Sequence, residues 1–305
     1  MPSRALVLGG TGMIGNAISR VFVERGIPLS ATTRNVSAIA PGARDGFVEF
    51  DVVGGSLEAL LGSYGEGDYV VNATGVIKQQ IDDANAAQRR NAIAMNSDFP
   101  YAVAELAERQ GFRVVHVATD CVYSGSTGGY DEDALHDATD VYGHSKSLGE
   151  VPSSQVLNIR CSMIGYELKN KKSLLEWVLN HEAGDVFPGY TDHLWNGITA
   201  RAFGQVVAGI VENATTLSGQ QHLLPADSVD KSQLSSMLLT AFGVDGVTVE
   251  PRETGKPVDR TLATLRPEAS AALWRDAGYD TPPAIGALVD DLARSGRFAT
   301  DGALT

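Results

Sequence analysis

RALVLGGTGMIGNAISRVFVERG, residues 4–26, is the stretch that decides the fold. A short apolar run ends in glycines at 9, 12 and 15. The chain then places Ile18, Val21 and Phe22 at helical spacing until Gly26 stops it. Each glycine meets a different steric demand. Gly9 permits a tight turn, Gly12 lets the backbone approach a pyrophosphate, and Gly15 lets helix and strand pack closely. With the N–H groups of Met13 and Ile14 at the positive helix end, the loop reads as an anion cradle for a dinucleotide.

Outward from this unit the same alternation repeats. Strands are predicted at 27–33, 46–51, 68–73, 112–119 and 154–162. Helices are predicted at 56–63 and from about 82 to 110, the latter broken at Pro100. This pattern predicts an α/β doubly wound parallel sheet with right-handed crossovers. Beyond residue 150 it loosens into strands at 219–224 and 247–250 among helices at 174–181, 200–211, 231–242, 266–277 and 285–294. The expectation is a dinucleotide-binding domain over 1–165 and a smaller mixed α/β substrate lobe over 166–305, with some chain returning to the sheet.

The 305 residues carry 24 basic and 37 acidic side chains, a net charge of −13. Such a surface repels phosphates and argues against nucleic-acid or anionic-membrane partners. No apolar run approaches the roughly 18 residues of a membrane span. The N-terminus shows no leader-like segment. Two cysteines make no disulfide framework, and no metal-ligand spacing is visible. A cytoplasmic enzyme or binding protein is expected.

Three further positions carry chemistry. The second strand ends Thr32-Thr33-Arg34 with no acid to grip ribose hydroxyls, so Arg34 suits a 2′-phosphate. NADPH is favoured, with NADH admissible. Asp51 could accept from the adenine amino group or cap a turn. Tyr142 and Lys146 lie four residues apart on one helix face, where the ammonium is expected to lower the phenol's pKa. Thr119, at a strand end, would offer its hydroxyl to a carbonyl oxygen.

Residues 1–165 resemble an extended short-chain dehydrogenase/reductase, and among these the dTDP-4-dehydrorhamnose reductase-like sugar-nucleotide reductases. The matching pieces are GGTGMIG (9–15), VVNATG (70–75), Asn96 in NSDFPYAVAELA, VVHVATDCVYSG (114–125), YDEDALHDATDVYGHSKSLGE (130–150) and NIRCSMIG (158–165). The resemblance implies that Thr119, Tyr142 and Lys146 act together on a sugar C4 ketone, in deoxysugar or polysaccharide biosynthesis. The cofactor would supply hydride, Tyr142 the proton, and Lys146 a hold on the nicotinamide ribose. It also implies cofactor contacts at Ala73, Thr74, Gly75 and Asn96.

Related dehydratases have Thr-Asp-Glu where this chain has Thr119-Asp120-Cys121, so dehydration is not expected. Cys121 opens an alternative, a 3,5-epimerase/4-reductase like GDP-fucose synthase with His181 or His193 as partner, set against plain packing of a free cysteine. A non-catalytic dinucleotide-binding subunit is a third reading. Met163 stands where the family has tryptophan. Trp195 and Asn196 lie where it has a glycine-proline-threonine turn, facing substrate or, for Trp195, filling core. Lys78 is a candidate phosphate contact, with Arg160, Arg201 and Arg252 as weaker ones. Asp131-Glu132-Asp133 reads as a solvated loop. The nucleotide (dTDP, UDP, GDP or CDP) and a homodimer are left open.

Overall fold

The computed structural model describes residues 3–39, 41–167 and 173–296. Met1, Pro2 and 297–305, assigned above to the ends of the two domains, lie outside them.

The first half builds β1 (Ala5–Leu8), α1 (Met13–Glu24), β2 (Ser30–Thr33), β3 (Phe47–Glu49), α2 (Leu57–Leu61), β4 (Tyr69–Asn72), α3 (Ala86–Ile93), α4 (Phe99–Gln110), β5 (Arg113–Val117), α5 (Val141–Leu148) and β6 (Val156–Arg160). There follow β7 (Met163–Ile164), α6 (Leu174–Leu179), β8 (Val186–Tyr190), β9 (His193–Trp195), β10 (Ile198–Thr199), α7 (Ala200–Glu212), β11 (Gly219–His222) and β12 (Val229–Asp230). The chain continues through α8 (Lys231–Ala241), β13 (Thr248–Arg252), β14 (Val258–Asp259), α9 (Pro267–Asp276) and α10 (Ile285–Arg294).

Seven parallel strands form one sheet in the order β11-β6-β5-β4-β1-β2-β3. The doubly wound expectation is borne out. Its central strands are apolar without alternation because both faces are covered: all four residues of β1 and of β4 are buried. One face packs on α1, α7 and α9 through Ile18, Phe22, Phe203, Val207 and Trp274. The other packs on α2 and α4 through Leu61, Val103 and Leu106. Each such side chain contributes about 1.5–3 kcal/mol on leaving water. Gly204 lets α7 approach α1, since a Cβ there would stand 3.0 Å from the Ala17 carbonyl oxygen.

β11 returns from the C-terminal half to finish the sheet beside β6. The remaining strands form small sheets, β8 with β13, β9 between β12 and β14, and β7 with β10. Around them a third apolar cluster joins α6, α8 and α10.

The expected break at Pro100 is not a break. Residues 86–110 run as α3, a π-helical turn Ala94–Asp98, and α4 with the proline in its first turn. Pro100 has no N–H for the Asn96 carbonyl, and the widened turn accommodates its ring. That carbonyl faces Gly149, where a Cβ would sit 1.9 Å away.

Candidate active site

β1, β4 and β5 are neighbours in the sheet, and the loops leaving their C-terminal ends carry the predicted site. Gly9 takes φ +82°, and a Cβ on Gly15 would lie 2.2 Å from the Gly9 carbonyl oxygen, so both glycines are required by the turn and the helix approach. The Thr32 hydroxyl accepts from Gly9 N at 2.9 Å and fixes the loop. Gly12 is the N-cap of α1 and supplies no side-chain acceptor, which leaves the first-turn N–H groups of Met13 and Ile14 for an outside anion. The donor set fits a dinucleotide pyrophosphate.

Arg34 is exposed directly after β2, and β2 ends without an acid. Asp51 is exposed and accepts from Val53 N at 3.1 Å, so of its two readings the turn role is the one seen. Past β4, Asn72 anchors Thr74 through N (3.2 Å) and Oγ1 (2.6 Å), holding Ala73–Gly75 against the glycine loop. Asn96 is buried. Its amide is spent on Val76 N (2.8 Å), Val76 O (3.0 Å) and Ser145 Oγ (3.0 Å), latching the loop after β4 to α5.

α5 starts at the Asp140 cap, whose carboxylate accepts from Gly143 N at 2.8 Å. Gly143 lets the helix lie on the Thr119–Val122 turn, because a Cβ there would come within 2.7 Å of the Cys121 carbonyl oxygen. That contact brings Tyr142 to Thr119. The Thr119 hydroxyl acts on the phenol, accepts from Cys121 N at 3.2 Å and donates to Asp120 Oδ1 at 3.3 Å. Lys146 is buried and donates from Nζ to the Val117 carbonyl at the end of β5, at 2.7 Å.

The electrostatics correct one expectation. Burial raises the Tyr142 pKa, the neighbouring Cys121 and Asp120 raise it further, and the Thr119 hydroxyl only partly offsets them. The Lys146 ammonium turns to the strand carbonyl instead of depressing the phenol, and burial lowers its own pKa to about 8. Burial also pushes the Cys121 thiol up to about 12, with Asp120 adding to the rise.

Several predicted substrate contacts are structural. Trp195 is core: 5% exposed, with Nε1 donating to Ser162 Oγ at 2.8 Å. Asn196 is closed on Leu262, donating to its carbonyl at 2.8 Å and accepting from its N–H at 2.9 Å. Lys78 pairs with the Asp140 carboxylate at 2.7 Å. Arg201 pairs with Glu24 and Asp291. Arg252 lies exposed on β13.

Arg160 is fully buried and bonds Glu150, Tyr123, His136 and His222. The supposedly solvated acidic run contains Glu132, buried and accepting from His222 N, Thr264 Oγ1 and Leu265 N. Met163 is half-buried on β7 beside Ile198. His181 sits between Trp177 and Phe187, and His193 lies against Tyr190. The charged groups acting on Cys121 are instead Asp120, Arg260 and Lys78.

The sequence reading passed over Lys231 and Arg260, which act electrostatically on Asp120 and Cys121. No motif marks either. No cluster of three or more metal-ligating side chains occurs among the described residues. No described helix is long and apolar enough to cross a membrane.

The family model described as RmlD substrate binding domain matches residues 3–273. The chain is 25% identical over 258 residues to the probable low-salt glycan biosynthesis reductase Agl14 of Haloferax volcanii, covering 81% of this chain and 82% of that one. Its fold is similar to dTDP-4-dehydrorhamnose reductase from Bacillus anthracis in complex with NADP, with TM-score 0.72, 16% identity and coverage of 97% and 100%. The reductase from Yersinia enterocolitica gives TM-score 0.72 at 14% identity, covering 96% and 99%.

Proposed function

The chain belongs to the RmlD substrate binding domain family, and from that premise we propose that it reduces the C4 ketone of a nucleotide-activated 4-keto-6-deoxyhexose with NADPH. The leading substrate is dTDP-4-dehydrorhamnose. The observation that carries this reading is the meeting of Thr119, Tyr142 and Lys146 at the C-terminal end of β5, beside a glycine loop whose helix N–H groups are uncapped.

Met13 and Ile14 would hold the cofactor pyrophosphate, Arg34 the 2′-phosphate, and Lys146 the nicotinamide ribose. When bound, the nicotinamide supplies hydride. Tyr142 keeps its proton because burial raises its pKa, which suits a group that must give that proton to a developing alkoxide. Thr119, beside the phenol, would offer its hydroxyl to the same oxygen.

The epimerase alternative gains no partner for its cysteine. Cys121 stays a thiol under burial, and neither His181 nor His193 is among the groups acting on it. The test is NADPH oxidation with dTDP-4-dehydrorhamnose in deuterated water. Turnover with no deuterium at C3 or C5 supports plain reduction. Label there restores the epimerase reading, and no turnover rejects both.

A further inference from the structure

Lys231 opens α8 on the C-terminal side of the chain, and its ammonium lies over Trp195, with Nζ 5.1 Å from the ring centroid. The ring is held by its own bond to Ser162, so it acts as a pedestal that fixes where the ammonium stands. The adjacent Asp230 makes no ion pair with it; its carboxylate caps the helix, accepting from Gln233 N at 2.7 Å. Among the described residues no carboxylate lies within 4 Å of Lys231 Nζ, and no acceptor hydrogen-bonds it. Lys78 has Asp140, and Lys146 has the Val117 carbonyl.

The groups that face Lys231 are Asp120, Cys121 and Arg260. Asp120 is buried and shared: Thr119 donates to it at 3.3 Å, Ser162 acts on it, and Arg260 adds a second positive charge. Arg260 is itself tied down, donating to the Tyr123 carbonyl at 2.8 Å and the Ser124 carbonyl at 3.1 Å. Lys231 is thus a half-buried cation with no hydrogen-bond acceptor among the described residues, within electrostatic reach of the turn that carries Thr119. Burial lowers its pKa to about 8, which leaves it charged at neutral pH. A half-buried ammonium with no acceptor among the described residues, standing beside the site, has donors to offer a ligand oxygen.

We propose that Lys231 is a specificity-determining residue that hydrogen-bonds an oxygen substituent of the reacting sugar, next to the carbonyl addressed by Tyr142 and Thr119, and not the nucleotide diphosphate. This rests on the sugar-nucleotide reading above. The test is calorimetric binding of dTDP and of dTDP-L-rhamnose to the NADP⁺-loaded enzyme, comparing wild type with Lys231→Met, which keeps the stem on Trp195, and Lys231→Arg.

The expected result is a loss of about tenfold or more for dTDP-L-rhamnose with Lys231→Met and less than about twofold for dTDP. Lys231→Arg should recover part of the loss, and NADP⁺ affinity should be unchanged. Equal loss for both ligands assigns Lys231 to the diphosphate and overturns the proposal, as does no loss for either. UDP and UDP-glucose run in parallel separate a wrong nucleotide from a wrong residue. Preference for the uridine pair, with the Lys231→Met loss confined to the sugar-bearing ligand, keeps this proposal and removes only the dTDP reading. A wild type that binds none of the four removes both.

Discussion

The ends of β5 and β6 lie side by side in the sheet and are built on opposite plans. At the end of β6, Arg160 is buried with its guanidinium bonded to Glu150, Tyr123 and the two histidines His136 and His222. His222 Nδ1 goes to the Ala263 carbonyl at 2.7 Å, and His136 Nδ1 meets Ser147 Oγ at 2.6 Å. Both rings therefore present Nε2 as acceptor to the arginine, and the network closes on itself. At the end of β5 the groups are less fully committed: Lys146 is buried on a single bond to the Val117 carbonyl, and Tyr142 and, across from it, Lys231 are half-buried. One edge is spent on cohesion and its neighbour is kept for a ligand. A buried arginine at a strand end is therefore poor evidence of substrate binding, and an under-satisfied hydroxyl or ammonium beside it is better evidence.

This contrast can be broken at either edge. Tyr142→Phe should lower kcat by about 10²–10⁴ and leave the melting temperature unchanged, as read by turnover and calorimetry. Arg160→Met should do the reverse. It strands Glu150 as an unpaired buried charge and should cost about 3–5 kcal/mol of stability in denaturant titration. Any loss of turnover should follow the folded fraction.

Acid should strike the β6 edge first. Burial holds His222 at about 4, against 6.5 in an unfolded chain, and His136 is displaced the same way. The folded state therefore binds fewer protons than the unfolded one between those values. Stability should be full above about pH 6.5 and fall as the pH drops toward 4, seen as a melting temperature that declines across that window.

Lys146→Met should have the opposite sign to Arg160→Met. It removes a buried charge whose pKa is depressed from 10.5 to about 8, offset by the lost bond to Val117. A gain of about 1–2 kcal/mol is expected together with loss of turnover. Lys78→Met, breaking a half-exposed pair with Asp140, should shift stability by less than about 1 kcal/mol.

The legible parts of the sequence were local. The glycine loop shows because three glycines meet three steric demands within seven residues, and the central strands show because both faces are buried. Tyr142 and Lys146 show because a helix fixes their spacing. Their protonation did not, since it depends on Val117, Thr119 and Cys121, which the fold brings in from other segments. Glu132 looked solvated because its partners Thr264 and Leu265 lie more than a hundred residues away. Trp195 and Asn196 were open to a substrate reading because only folding shows Ser162 and Leu262 against them. β13 escaped full assignment because its residues are mostly exposed and include Pro251.

A crystal structure of the protein with NADP⁺ and dTDP-L-rhamnose tests the central claim most directly. Tyr142 Oη is expected within about 3 Å of the sugar's 4-hydroxyl oxygen, with Thr119 on the same oxygen and the nicotinamide stacked beside the sugar's C4. A phenol still turned to Thr119 alone, with the sugar bound elsewhere, would contradict the assignment of this strand end as the reducing site.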